Sequence, residues 1–111
     1  MTEGDLAALA LRKIGVIGAQ EDPTADDSAE VVSAYERYFA ELDERKLATW
    51  FMATIPSWAS EGLANVLAAR VRPMFNTEPY SPAEEDIAER GLLKVIARDA
   101  ASNVETEGEY Y

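Results

Sequence analysis

The sequence predicts an all-α protein, a small four-helix bundle followed by an extended C-terminal tail. Apolar residues recur at three- and four-residue steps through most of the chain, which is the period of an amphipathic helix. Residues that start and stop helices flank these stretches, and no stretch combines strand-like alternation with turn residues. A chain of 111 residues forms one domain and buries roughly two-thirds of its unfolded surface. We therefore expect a helical domain over residues 1–101 and a tail over residues 102–111.

The first helix is predicted between a capping box and a glycine stop. Thr2, with Asp5 three residues later, is a variant of the capping box. Gly15 follows the basic pair Arg12 and Lys13, which suits a helix C-terminus. The segment LALRKIGVIG holds more apolar side chains than one short surface helix hides on a single face. Either the core of this chain or another chain must cover the remainder.

The second helix is predicted to start at Thr24 and to run toward Lys46, about six turns. Asp26 and Asp27 lie in its first turn, where the helix dipole favours negative charge. Its apolar stripe consists of Val31, Val32, Tyr35, Tyr38, Phe39 and Leu42. We expect Tyr35 and Phe39 to pack in the core.

The third helix is predicted from Ser57 to Arg72, because Pro56 breaks the chain before it and Pro73 ends it or distorts its last turn. Gly62 lies inside this helix and lowers its propensity, which indicates close packing against a neighbouring helix. The apolar positions are Trp58, Leu63, Val66, Leu67 and Val71.

The fourth helix has the clearest start signal of the chain. Ser81 is the cap, Pro82 fills the first helical position and Glu84 completes an S-x-x-E box. The predicted apolar stripe is Ile87, Leu92, Val95 and Ile96. After Ala101 the periodicity disappears, and SNVETEGEYY is typical of an extended or mobile tail.

Composition excludes several classes of function. The chain has no Cys and no His, which removes disulfides, thiolate metal sites and the commonest general base. Its net charge of −11 opposes binding to a nucleic-acid backbone. No apolar run reaches the roughly 20 residues that span a bilayer, and the N-terminus does not resemble a signal peptide. A cytoplasmic origin without membrane association is expected.

Carboxylate pairs are the remaining candidates for catalysis or metal binding. They are Asp26–Asp27, Asp43–Glu44 and Glu84–Glu85–Asp86. Each pair lies on an exposed face or in the first turn of a helix, where capping and solvation explain it. GVIG also lacks the spacing and the Lys of a phosphate-binding loop. We expect no catalysis, no metal and no cofactor.

Two groups of aromatic residues stand outside the helical stripes. Trp50 and Phe51, with Leu47 and Met52, make a dense apolar cluster after the second helix, which is either core or contact surface. Tyr110 and Tyr111 end an acidic, glycine-containing segment and cannot reach a core by helical periodicity. Such a pair is either inert or an anchor for a pocket on a partner.

The chain resembles the head–tail connector family of tailed bacteriophages, also called adaptor or head completion proteins. The most specific piece is ALRKIGV, Ala10–Val16, within GDLAALALRKIGV. An acidic second helix, an apolar third helix after IPSW and a closing tail fit the same pattern, and the resemblance covers about residues 4–100. The end of the third helix, RVRPMFN, departs from the small-residue ending of many relatives.

The resemblance implies a structural virion protein rather than an enzyme. Its members form a ring, typically of about twelve neighbouring copies, below the portal protein, in the neck between capsid and tail. The ring extends the channel through which double-stranded DNA passes without specific binding, and it offers a docking surface to a tail-side stopper or tail terminator protein. Assembly takes place in the host cytoplasm. The particle is either a virus or a phage-derived gene-transfer particle.

The resemblance also assigns roles to particular residues. In relatives the C-terminal segment often binds the portal or an adjacent subunit, and here that role falls on Asn103, Val104, Glu105, Tyr110 and Tyr111. Subunit or portal contacts would cover the surplus apolar surface. The candidates for subunit contact are Leu9, Leu11, Val16, Ile17, Trp50 and Phe51.

Two alternatives to the adaptor remain open at the level of sequence. One is a small acidic regulatory or inhibitory protein that binds a basic partner, and its support is the net charge of −11. The acidic residues, however, are spread over helix starts rather than along one phosphate-like track. The other is an enzyme that works with carboxylates alone.

Overall fold

A computed structural model describes residues 1–75 and 78–108, and of residues 102–108 only the course of the backbone. In these ranges the chain folds into four α-helices, one short 3₁₀ helix and no strand, which confirms the predicted all-α four-helix fold. The α-helices are α1 Glu3–Lys13, α2 Ala25–Glu44, α3 Ser57–Val71 and α4 Pro82–Gly108, and the 3₁₀ helix spans Arg72–Phe75.

The predicted caps define where three of the helices begin. Thr2 and Asp5 form a reciprocal capping box at the start of α1, and the hydrogen bonds from the backbone and side chain of Thr2 lower the pKa of the Asp5 carboxyl. The Thr24 hydroxyl accepts from the Asp27 N–H at 3.2 Å. The Ser81 hydroxyl accepts from the Glu84 N–H at 3.3 Å. Each cap satisfies a backbone donor that the first turn of a helix leaves free.

The helix α3 is the centre of the bundle, since it packs against α1, α2 and α4. Pro56 precedes it, and Pro73 lies in the 3₁₀ helix that follows it, as the sequence predicts. The buried core combines the inner faces of all four helices. Its largest side chains are Leu6, Leu11, Val31, Tyr35, Tyr38, Leu42, Ile55, Leu63, Val66, Leu67, Val71 and Leu92.

Gly62 lies in the contact between α3 and α4. A Cβ atom at this position would lie 3.1 Å from the Cα of Leu92 and 3.1 Å from its Cδ1. Any larger side chain would push against the backbone of α4. This confirms the prediction that the glycine marks close helix–helix packing.

A polar network ties α2 to α4 across α3. Arg70 of α3 contacts Glu41 of α2 at 2.6 Å and Glu85 of α4 at 3.0 Å, and its guanidinium lies 4.5 Å from the ring centroid of Tyr38. The Tyr38 hydroxyl donates to Glu89 of α4 at 2.9 Å. The inner faces of α2 and α4 are therefore turned toward each other.

The structure differs from the sequence analysis in three places. Leu11 is fully buried in the core rather than left over for another chain. Ile87, predicted in the apolar stripe of the fourth helix, is 66% exposed, because it lies on the side of α4 opposite Leu92 and Ile96. The backbone of residues 102–108, predicted as part of an extended or mobile tail, continues α4 as far as Gly108.

Candidate functional site

The segment between α2 and α3, residues 45–56, forms a loop that is fixed to the bundle. It leaves α2 through Lys46, whose φ of 58° reverses the chain, and the Leu47 N–H then donates to the Leu42 carbonyl at 2.8 Å. Further along, the Met52 carbonyl accepts from the Tyr35 hydroxyl at 2.8 Å. The loop is thus held at both its start and its middle.

Aromatic rings pack beneath this loop in a continuous row. The ring centroids of Tyr35 and Phe39 are 6.1 Å apart, those of Phe39 and Trp50 5.9 Å, and those of Trp50 and Trp58 5.7 Å. The last two pairs meet edge to face, the geometry that the ring quadrupoles favour. The Trp50 indole N–H also donates to the Tyr35 hydroxyl at 3.2 Å. Trp50 therefore serves mainly to anchor the loop.

The Phe51 side chain, in contrast, faces solvent. Its side chain is 85% exposed, and the neighbouring Met52 is also exposed. Both follow Trp50 directly, so the packing of the indole fixes where they are presented. Phe51 is the predicted contact residue that the structure places most openly at the surface.

A groove of about 650 Å³ lies between α3 and α4 and reaches the end of α1. Two salt bridges lie at its rim, Lys13–Glu61 and Arg72–Glu84. The floor and walls are mainly apolar and small, and they include Ile14, Trp58, Gly62, Ala68, Ala88, Gly91 and Val95. Since Trp58 also contacts Trp50, one end of this groove lies near the aromatic row under the loop.

The other predicted contact residues near the N-terminus contribute little free surface. Leu11 is buried, and its side chain cannot contact a second chain in the folded protein. Leu9, Val16 and Ile17 are partly buried and pack against the same core. The greater part of this apolar surface is thus covered by the chain itself.

The structure describes only some of the residues predicted to make tail contacts. Asn103, Val104 and Glu105 lie on the helical backbone of α4. Tyr110 and Tyr111 lie outside the described residues. Their assignment as anchors stays a prediction.

The groups of the polar network around Arg70 are engaged with one another. Burial, and then the hydrogen bond to Glu89, raise the pKa of Tyr38, while the hydrogen bond from Arg70 lowers the pKa of Glu41. Arg45 also contacts Glu89, at 2.8 Å. Mutually paired charges of this kind stabilise the packing of helices. We assign the network a structural role.

The surroundings of the Glu3 carboxylate disfavour its negative charge. The Glu3 side chain is partly buried beside α2, and within the described chain its Oε1 atom has no hydrogen-bond partner. Burial, followed by the charge of Glu36, raises the pKa of Glu3. This pair lies at the surface between α1 and α2 and has no counter-ion among the described residues.

Sequence reasoning missed one feature of α4. Arg90, Lys94 and Arg98 are exposed on one side of this helix, together with Ile87 and Gly91. Their spacing of four residues was visible in the sequence, but only the buried positions of Leu92 and Ile96 identify the side as the outer one.

Neither a metal site nor a membrane span is found in the described parts of the chain. No group of three or more potential metal ligands comes together there, and none of the helices there combines the length and the apolar character that crossing a bilayer requires. Comparison with protein-family models, with curated proteins and with solved structures gave no match.

Proposed function

We propose that this chain is a head–tail adaptor, a structural virion protein. In this role it forms a ring below the portal protein, extends the DNA channel and offers a docking surface to a stopper or tail protein in the neck of the particle. The resemblance of ALRKIGV, Ala10–Val16, to the adaptor family supports the proposal, as do the chain length and the all-helical fold. The role requires no catalytic step and no cofactor.

The observation that carries the proposal is the exposure of Phe51. Its side chain is 85% exposed, although the neighbouring Trp50 and Met52 are tied to Tyr35. Burying such a side chain is worth about 1.5–3 kcal/mol, so a fixed loop that presents it to water offers this free energy to a partner surface that covers it. Exposed aromatic anchors of this kind are typical of protein–protein contacts.

The charge of the chain suits a channel protein. With 21 acidic and 10 basic residues the chain repels the phosphate backbone. An acidic lumen would let double-stranded DNA slide through without binding. A neutral or basic lumen in a solved ring would contradict this part of the proposal.

Negative-stain microscopy of the chain mixed with a candidate portal protein tests the proposal. We expect an added annular layer below the portal ring, and we expect Phe51→Ser to weaken it while circular dichroism stays unchanged. Ala53→Ser is the matched control, because it alters an exposed residue of the same loop. Absence of the layer with every portal tried at saturating concentration would contradict the proposal.

A second candidate function is supported by the outer side of α2. Five acidic residues of this helix are exposed and form no salt bridge with any described residue. They are Asp26, Glu30, Glu36, Asp43 and Glu44. Such a surface fits an acidic regulatory protein that binds a basic partner. A pull-down in which rising salt releases a nucleic-acid-binding protein, with no binding to portals, would favour this function.

A further inference from the structure

Two oppositely charged surfaces lie on the outside of the bundle. The first, the α4 outer face, consists of Ile87, Arg90, Gly91, Lys94 and Arg98, all exposed. Arg90 pairs with Asp86 at 2.6 Å. Lys94 and Arg98 form no salt bridge with any residue that the structure describes. This face is therefore basic, with an apolar side chain and a glycine along it.

The second surface, the α2 outer face, is acidic and shallow. Its centre line holds the small residues Ala29, Ser33 and Ala40 together with Glu36, all exposed. Asp26, Glu30, Asp43 and Glu44 flank this line. Arg37 is the single cation among these positions of α2, all of which the structure describes. A helix can approach closely here because no large side chain stands in the way.

These two faces point away from each other. The Tyr38 hydroxyl of α2 meets Glu89 of α4 at 2.9 Å, and Arg70 lies between Glu41 and Glu85. The sides of α2 and α4 that carry these contacts are turned toward one another, so the opposite sides are turned outward in opposite directions. One molecule thus carries a basic face on one side and an acidic face on the other.

We infer that the α4 outer face of one copy docks on the α2 outer face of the next copy. The inference rests on the proposed function and names the surfaces that would build the ring. Contact between two different faces of the same chain is heterologous, and it closes into a ring when the rotation per subunit allows it. In such a contact the two helices run antiparallel with Gly91 opposite Ser33, so Ile87 packs near Ser33 and Ala40. Lys94 and Arg98, one turn apart, then meet Glu30 and Asp26, which are also one turn apart.

Charge complementarity identifies a second copy as the occupant. Two chains of net charge −11 repel each other in most orientations. Among the described residues the α4 outer face carries two cations one turn apart, Lys94 and Arg98, that form no salt bridge, so the charges favour docking of this face on the acidic face. A single helix pair buries less than the roughly 1,200 Å² of a stable interface. The contact is therefore weak in solution, sensitive to salt, and reinforced when a template gathers many copies.

Disulfide trapping tests this contact, because the chain contains no cysteine of its own. In the full-length variant Ser33→Cys/Gly91→Cys each face carries one thiol. At Gly91 no atom lies within 4 Å of an added Cβ, so the change leaves the helix packing intact. The two thiols lie on opposite sides of one molecule, and every disulfide must join two copies. On oxidation at low salt we expect a ladder of dimers, trimers and larger species.

Four kinds of control variant make the result specific. Each single-cysteine variant should stop at a dimer, and Ser33→Cys/Ala53→Cys should cross-link only at the rate of random collision. Adding Lys94→Glu and Arg98→Glu should slow the ladder about tenfold, equivalent to ~1.4 kcal/mol. Adding Asp26→Lys and Glu30→Lys to that protein should restore it, since the charges are then exchanged rather than lost.

The outcomes separate this inference from the proposed function. A ladder no faster than in the Ser33→Cys/Ala53→Cys control, or one unaffected by Lys94→Glu and Arg98→Glu, would overturn the docking geometry. If the wild-type chain nevertheless formed an annular layer on portals, the adaptor function would stand, and a different interface would build the ring. A charge-dependent ladder without any layer on portals would instead support the self-association and refute the adaptor function.

Discussion

Gly62 shows how one residue sets the spacing of two helices. A methyl group at this position would meet the Leu92 backbone at 3.1 Å, and overpacking of this kind costs about 1–3 kcal/mol. We therefore expect Gly62→Ala to lower the free energy of unfolding by that amount, measured by urea denaturation. An unchanged or raised stability would show that α3 and α4 are free to separate.

Gly91 provides the matched control on the partner helix. An added Cβ there has no atom within 4 Å, and alanine is a better helix former than glycine by roughly 0.5–1 kcal/mol. Gly91→Ala should therefore raise the free energy of unfolding. Replacing glycine by alanine should thus lower the free energy of unfolding at Gly62 and raise it at Gly91. The difference comes from the packing around the two positions.

Glu3 makes stability depend on pH in a defined direction. Burial and the charge of Glu36 raise the pKa of Glu3 in the folded state, so folding favours the protonated form. At neutral pH the ionised carboxylate costs free energy, and Glu3→Gln should stabilise the protein by ~0.5 kcal/mol. As the pH falls through the raised folded pKa toward the ordinary glutamate value, the wild type should recover this difference.

Thermal unfolding of both proteins between neutral pH and about pH 4 measures this effect. Glu44→Gln is the control for the general loss of one negative charge, because Glu44 is exposed and has no ionic partner in the described chain. A difference between wild type and Glu3→Gln that stays constant over the range, or that matches the control, would contradict the assignment.

Among the described helices, α4 takes part in the largest number of salt bridges. Arg70 joins α4 to α2 through Glu85 and Glu41, and its planar guanidinium also stacks on Tyr38. Arg70→Met would leave two carboxylates close together without their cation. We expect a loss of about 1–3 kcal/mol in a urea titration, reduced but not abolished by salt.

Arg90→Met is the matched control for this change. Arg90 pairs with Asp86 one turn away on the exposed side of α4, and surface pairs of that kind contribute about 0.3–0.5 kcal/mol. An equal loss for the two variants would mean that the Arg70 network adds nothing beyond an ordinary surface pair.

The helix starts were predictable from sequence because capping is local. Thr2, Thr24 and Ser81 are each bonded to a backbone N–H three residues further on, and such spacing is readable without a fold. The breaks at Pro56 and Pro73 are local in the same sense. Features that depend on contacts within one helical turn, such as caps and breaks, could therefore be predicted from the sequence.

The outward and inward sides of the helices were less predictable, because they depend on contacts between distant residues. Leu11 and Ile87 are both aliphatic and both periodic, yet one is buried and the other is 66% exposed. The network around Arg70 joins residues 29 and 15 positions apart. No local pattern identifies such partners. For the candidate site, the sequence singled out Trp50 and Phe51 together but could not separate the anchoring Trp50 from the exposed Phe51.

At the scale of the whole molecule, the described core and the predicted portal-binding segment lie in different parts of the chain. Among the side chains that the structure describes, the last core residue of α4 is Ile96, whereas the predicted portal-binding segment begins at Asn103. Removal of residues 103–111 leaves every described core side chain in place. The fold should tolerate a change that the assembly does not.

We expect deletion of residues 103–111 to leave the helical circular dichroism per residue and the melting temperature nearly unchanged, and to abolish the annular layer on portals. Because the deletion also shortens α4, which runs to Gly108, the full-length variant Tyr110→Ser/Tyr111→Ser tests the anchors without altering the helix. It should weaken the layer as well, since aromatic anchors supply most of the binding energy of such segments. If both proteins join portals as the wild type does, the C-terminal segment has no part in docking, and the proposed portal contact then rests on Phe51.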